Sequence, residues 1–275
     1  MAALNDQQTK LSLPIPFDRG EAAELFQSTG HQEALARLQL MIQKRYLGVL
    51  TGEVGSGKST LVRHLVKSLD QMRFQAVYIS MADLKPRDFY GELLRQLGEV
   101  PPYSLVKAKR LWEETITAWQ AQKDKQLVVI IDEAQDLSEK MLLELRFAQS
   151  HQMDAIAGFP LLLVAQPELR KTLRLKRYEA ISQRVQLQYH LSGLSKEETL
   201  AYIRQQLKLS GDTTPVFAES SMQMIFAASQ GIPRLINRIC SQALLETERK
   251  GLEVIEESQI GRVLADQDRQ RGIGA

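Results

Sequence analysis

Three glycines, a lysine and two serines share one short run at residues 52–59, Gly-Glu-Val-Gly-Ser-Gly-Lys-Ser, with Thr60 following. The run matches G-x-x-x-x-G-K-[ST], a spacing whose chemistry is the capture of phosphate. Glycines let the backbone wrap phosphate oxygens with its N–H groups. The Lys58 ammonium neutralises β/γ charge, the Ser59 hydroxyl can ligate magnesium, and Thr60 adds a donor near the α-phosphate. Gly52, Glu53, Val54, Gly55, Ser56, Gly57, Lys58, Ser59 and Thr60 are therefore the expected phosphate cradle, with ATP and Mg2+ as the implied ligands. At ordinary glycine usage such a match arises by chance on the order of 0.01 times in a chain of this length.

A second group of chemically capable residues ends the run Leu127-Val-Val-Ile-Ile-Asp132-Glu133. Five apolar residues read as a buried strand. Two carboxylates then sit at its C-terminal end, the edge where parallel-sheet proteins bind ligands. Asp132 would hold magnesium through water, and Glu133 would polarise a water attacking the γ-phosphate. A solvated acidic turn is the plainer alternative. The run Leu161–Ala165 ends in Gln166, whose amide could orient the same water; the alternative is that Gln166-Pro167 opens the next helix.

These groups must be positioned by the elements around them. Leu47–Thr51, Ala76–Ser80, Leu127–Ile131, Leu161–Ala165 and Val185–Leu191 are short runs rich in Val, Ile and Leu that alternate with helix-period segments. Strands of this kind are buried on both faces, which predicts an α/β fold: a five-stranded parallel sheet covered by helices. Ahead of the first strand, Leu35, Leu38, Met41 and Ile42 recur at helical spacing within Glu21–Gln43. Beyond Leu191 the pattern changes. Ser195 and Glu198 form a capping box, and segments 195–209, 217–229, 233–249 and 256–268 all have helical period, punctuated by Gly211, Pro215, Gly231, Pro233 and Gly251. The expected organisation is an N-terminal arm over 1–19, a nucleotide-binding α/β domain over 20–192, a small all-helical lid over 193–268 and a tail over 269–275.

Composition fits a folded protein, with 44% apolar and 25% charged residues in 275 and a net charge of +2. Bulk charge neither demands nor excludes a polyanionic partner, so any basic surface is local. Cys240 is the only cysteine, which excludes an internal disulfide and a multi-cysteine zinc site. His64, His151 and His190 lack metal-ligand spacing and are expected to be structural. The longest nearly apolar stretch, Ala155 to Ala165, is well short of the roughly 20 residues a spanning helix needs, and Met1 to Lys10 is polar. No membrane partner and a cytoplasmic location are expected.

Five phrases, His31-Gln-Glu-Ala-Leu-Ala-Arg-Leu, Leu50-Thr-Gly-Glu-Val-Gly-Ser-Gly-Lys, Ile131-Asp-Glu-Ala-Gln, Ala165-Gln-Pro-Glu-Leu and Gly231-Ile-Pro-Arg, occur in this order. Together, over nearly the whole of residues 20–270, they resemble the AAA+ ATPases of the ExeA-like and TniB/TnsC/MuB-like groups. That resemblance implies ATP hydrolysis, with Gln166 as sensor 1 and Arg234 as sensor 2; in such proteins the His31 position can lie beside the adenine, although a lone histidine opening a helix is more often a cap or surface residue. It also implies an arginine finger acting on a neighbouring subunit, for which Arg177 and Arg184 both lie in the segment before the last strand; Arg184 is favoured.

Within this resemblance, ExeA-type secretion ATPases add a transmembrane helix and a periplasmic part, which this sequence is not expected to contain. Chains of this length look like regulators of DNA transposition that bind ATP, form homo-oligomers or filaments on duplex DNA without sequence preference, and recruit a transposase. Lys85, Arg87, Lys107 and Lys109, with Arg110 and Tyr103 nearby, lie between the second strand and the acidic strand and would suit DNA phosphates. Three further readings stay open: a solvated helix face for these basic residues, an ExeA-like role in secretion-system assembly, and a protein-docking ATPase that binds no DNA.

Overall fold

The computed structural model describes residues 17, 25–121, 125–151, 156–209, 216–270 and 272. Most of the arm over 1–19, together with Gly211 and Pro215, lies outside the described residues. Two compact units are present. One holds residues 29–54 and 58–191; the other holds the described residues up to Ser28, the loop tip Gly55–Gly57 and those from Ser192 onward.

The first unit opens with helix α1 (Thr29–Lys44), whose apolar spacing buries Ala34, Leu38, Met41 and Ile42. Strand β1 (Leu47–Gly52), helix α2 (Lys58–Ser68) and strand β2 (Phe74–Ile79) follow. Helices α3 (Pro86–Gln96) and α4 (Leu105–Ala121) then lead to β3 (Gln126–Ile131) and α5 (Glu139–Gln149). A two-residue antiparallel pair, β4 (Ser150–His151) with β5 (Ile156–Ala157), precedes β6 (Leu161–Ala165). The sequence pattern gave no sign of this pair, because two residues are too few for a period. Short helices α6 (Glu168–Leu173) and α7 (Glu179–Ser182) lead into β7 (Val185–Leu191).

Five strands form the expected sheet in the order β2-β3-β6-β1-β7, all pairings parallel. Position in the sheet explains composition. Every residue of β1 and β6 is buried, as are Leu127–Ile131 of β3, because these strands have a neighbour on each side and helices over each face. Edge strand β7 alternates half-buried and exposed residues, reading Val-Gln-Leu-Gln-Tyr along its first five positions. Parallel pairing brings all C-terminal strand ends to one edge. Thr51 of β1 lies opposite Ala165 of β6, so Gly52 and Gln166 leave the sheet side by side.

Below the sheet, Val77, Ile79, Phe89, Leu93, Leu94, Trp112, Leu127, Val129, Met141, Leu145 and Phe159 belong to one apolar core. Trp112 meets Phe159 edge-to-face at 5.6 Å, which anchors α4. Each large side chain fully withdrawn from water here contributes about 1.5–3 kcal/mol.

Helices α8 (Lys196–Leu209), α9 (Glu219–Ser229), α10 (Pro233–Lys250) and α11 (Glu257–Gln270) make the second unit. The capping box closes as expected: Ser195 Oγ accepts from Glu198 N at 3.1 Å, and Glu198 Oε2 accepts from Ser195 N at 2.9 Å. Ile203, Ile225, Ile236, Ile239, Cys240 and Ile260 fill the core, and Phe217 and Ile255 form a single parallel bridge. Gly231 stands at φ +72°, and a Cβ there would lie 2.0 Å from the Leu194 carbonyl oxygen, so Gly-Ile-Pro-Arg needs its glycine. Phe17 departs from the expected boundaries. It belongs to the core of this unit, edge-on to Phe217 at 6.3 Å.

Candidate nucleotide site

The loop after β1 takes its shape from glycines in a backbone region closed to most side chains, with Gly55 at φ +83° and Gly57 at φ +100°. Successive amides in such a conformation form a concave anion-binding nest. Lys58 opens α2, and its Nζ donates to Gly52 O at 2.8 Å and to Glu53 O at 3.0 Å, folding the cation back over the loop's own carbonyls. Ser59 and Thr60 occupy the first turn of α2. Ser56 Oγ is buried and has no hydrogen-bond partner among the described residues, a state that calls for an acceptor. Before the loop, buried Thr51 ties β1 to β7: its Oγ1 lies 3.2 Å from His190 Nδ1 and 3.4 Å from Tyr189 O.

Arg234 belongs to the second unit together with the loop tip. Its backbone N–H donates to Gly55 O at 3.2 Å, and a Cβ on Gly55 would stand 2.4 Å from Arg234 Cβ. Gly55 is thus required twice, by its φ and by this approach.

At the end of β3, Asp132 N donates to Ile79 O at 2.9 Å, continuing the pairing with β2 past the last apolar residue. Asp132 is buried, Oδ1 accepts from Glu133 N at 2.9 Å, and Oδ2 accepts from the Tyr78 hydroxyl. Partial burial, and then the adjacent carboxylate, hold the Tyr78 phenol well above its ordinary range, so it stays a donor. Glu133 adopts φ 52°, a left-handed conformation costly for a residue with a side chain, and leaves its carboxylate exposed. A single 3₁₀ turn, Ala134–Asp136, follows. Its Gln135 donates from Nε2 to Glu133 Oε2 at 2.8 Å and accepts at Oε1 from Gln166 N at 2.9 Å. Asp132, Glu133 and Gln166 therefore come together at one sheet edge. Tyr78 and Gln135 were not singled out from the sequence: Tyr78 reads as one more aromatic in a strand, and Gln135 as one residue of a turn.

Magnesium suits the donor set. Ser59 would supply a hard oxygen directly and Asp132 would act through water, which leaves the remaining positions to phosphate oxygens and water, as that ion prefers. Among the described residues no group of three or more His, Cys, Asp or Glu would hold a metal by itself.

A domain model described as AAA domain matches residues 41–173. This span takes in the phosphate loop, both carboxylates and Gln166. This chain carries an AAA+ ATPase domain. The chain is 33% identical over 240 residues to general secretion pathway protein A of Aeromonas hydrophila, covering 86% of this chain and 43% of that protein. The chain thus spans less than half the length of that curated relative. Among solved structures, the crystal structure of Cdc6p from Pyrobaculum aerophilum superposes with a TM-score of 0.67 at 17% identity, covering 91% of this chain and 70% of that one. Drosophila ORC bound to DNA gives a TM-score of 0.63 at 18% identity, covering 86% and 60%. These likenesses establish the α/β AAA+ fold with its helical C-terminal part.

The remaining expected site residues are Arg184, Arg177, His31 and the basic residues of the α3–α4 region. Arg184 is half-buried and its Nη1 donates to Arg146 O in α5 at 3.1 Å, whereas Arg177 is exposed, 3.3 Å from Glu139 Oε2. His31 is buried in α1. The four basic residues of the α3–α4 region divide. Lys109 Nζ sits 2.6 Å from Glu144 Oε1, a carboxylate that also accepts from Tyr90 OH at 2.8 Å and is only 10% exposed. Burial and this carboxylate push the Tyr90 phenol up. Lys85 lies 3.5 Å from Asp83, and Arg87 lies 3.3 Å from Asp88 with its guanidinium 5.3 Å over the Tyr103 ring. Lys107 is exposed. Among the described residues no helix is long and apolar enough to cross a membrane.

Proposed function

We propose that this chain is an ATP-driven regulator of DNA transposition that assembles with copies of itself on duplex DNA and presents that DNA to a transposase. In this reading Lys58 and the loop amides hold the phosphates, Ser59 and Asp132 hold magnesium, Glu133 polarises the attacking water and Gln166 orients it. Arg234 reads the γ-phosphate, and Arg184 completes the site of a neighbouring subunit. The observation that carries the DNA half is the α3–α4 connection. Tyr103 there is 92% exposed and capped by Arg87, with Lys107 near it in sequence and Lys85 near Arg87, both exposed. An aromatic and basic projection of this kind suits a phosphate backbone contacted without base readout. Support for the transposase is the resemblance of the ordered motifs to the TniB/TnsC/MuB-like group.

Gel shifts of the full chain with unrelated duplexes, in ATP, ADP and a non-hydrolysable analogue over a salt series, test this reading. Assembly is expected with ATP and its analogue and not with ADP. Affinity should fall with a log–log salt slope of about −0.9 for each phosphate contact. Arg184→Ala should bind ATP yet fail to assemble. Absence of DNA binding in every nucleotide state at low salt overturns it. The second reading is then a motor for assembling secretion machinery, favoured by the similarity to general secretion pathway protein A.

A further inference from the structure

Between the two sheet-edge groups lies one side chain that touches both. Gln135 sits in the 3₁₀ turn after β3, half-buried, and makes three polar contacts: Nε2 to Glu133 Oε2 at 2.8 Å, Nε2 to Asp136 Oδ2 at 3.3 Å, and Oε1 from Gln166 N at 2.9 Å. The chemistry of these partners admits one orientation of the amide. Both carboxylates can only accept, so they must face the NH2 group, and a backbone N–H can only donate, so it must face the oxygen. No other neutral side chain of this length offers a donor on one arm and an acceptor on the other.

We propose that Gln135 is a positioning residue for ATP hydrolysis: its amide fixes the Glu133 carboxylate against the end of β6, where Gln166 leaves the sheet. The inference rests on the reading of Glu133 as the group that polarises the attacking water. Glu133 needs such a tether because its backbone is in the left-handed region at φ 52° and its side chain is exposed. Without a partner, an exposed glutamate samples many rotamers, and few of them point at any one water. Gln135 engages Oε2 and leaves Oε1 to accept from water. Because its oxygen is bound to the main chain of Gln166, movement of β6's end moves the carboxylate as well. The tether therefore couples the two groups expected to share the lytic water.

Steady-state ATP hydrolysis by the full chain with magnesium provides the test. Gln135→Met keeps the length and removes all three hydrogen bonds. It is expected to lower kcat by about tenfold to hundredfold, the scale of hydrogen bonds to a charged group, with KM for ATP changed less than about threefold. Gln135→Glu keeps the length and an acceptor for Gln166 N but replaces the donor with a like charge beside Glu133, so kcat should fall at least as far as in Gln135→Met, again with KM changed less than about threefold. The double variant Glu133→Gln/Gln135→Met should be no slower than Glu133→Gln alone, because Gln135 acts through Glu133. Wild-type kcat in Gln135→Met, alongside a slow Glu133→Gln, overturns the role of Gln135 and leaves that of Glu133. Wild-type kcat in Glu133→Gln overturns the reading beneath it. If Gln135→Met does not fold, Gln135→Glu decides, and a wild-type kcat in it sinks the proposal.

Discussion

The end of β3 and the α3–α4 region both looked, from sequence, like clusters of useful charge, and the structure treats them differently. At the end of β3 a fully buried strand stops and its next two residues are carboxylates. The Asp132 backbone is fixed by pairing with β2, and the oxygens of the two carboxylates are held by Tyr78 and Gln135. In the α3–α4 region the basic residues ride on helices whose inner faces, Phe89, Leu93, Ala108 and Trp112, are locked into the core. Outward charge there is free to find acids, and Lys109 has found Glu144. Position at the end of a buried strand is dictated by the sheet, while a count of lysines on a helix says little about which remain available.

The sharpest break in that comparison comes from the phosphate site. Lys58→Ala should abolish nucleotide binding, whereas Glu133→Gln should bind ATP normally and hydrolyse it about 10²-fold or more slowly. Nucleotide titration and single-turnover hydrolysis measure the two separately. Equal ATP affinity in wild type and Lys58→Ala would remove the basis for treating the loop as the cradle.

A smaller effect separates the two kinds of lysine. Glu144→Ala strips Lys109 and Tyr90 of a shared, nearly buried acceptor and should cost about 1–3 kcal/mol, lowering Tm by several degrees. Lys109→Ala should likewise destabilise the fold. Lys107→Ala, on an exposed side chain, should leave Tm within about 1–2 °C while flattening the salt dependence of DNA binding. If Lys109→Ala flattened that slope and left Tm unchanged, its pairing with Glu144 would not describe its role.

The smallest predicted change concerns the tyrosine that sequence reading passed over. Tyr78→Phe removes the donor to Asp132 and should destabilise by about 1 kcal/mol, with a higher magnesium requirement for hydrolysis as the freed carboxylate loses its fixed orientation. Chemical denaturation and magnesium titration read the two parts. An unchanged requirement would mean that the hydroxyl serves folding alone.

Much of this molecule was decided by local order. The Gly-x-x-x-x-Gly-Lys-Ser run, the five apolar strands, the carboxylates after Ile131 and the capping box at Ser195 each depend on neighbours a few residues away, so periodicity and turn chemistry suffice to place them. Val185–Leu191 was legible as a strand, yet its alternation became meaningful only once the sheet order put it at an edge. Tertiary structure alone decided the rest. Gln135 and Gln166 are far apart in sequence and meet because β3 and β6 are adjacent parallel strands. Tyr78 reaches Asp132 for the same reason across β2 and β3. Lys109 was lost to Glu144 because α4 and α5 bring them within 2.6 Å. A sequence fixes which groups a chain has and how near neighbours are arranged, but which donor meets which acceptor across elements depends on the pairing of strands and the packing of helices.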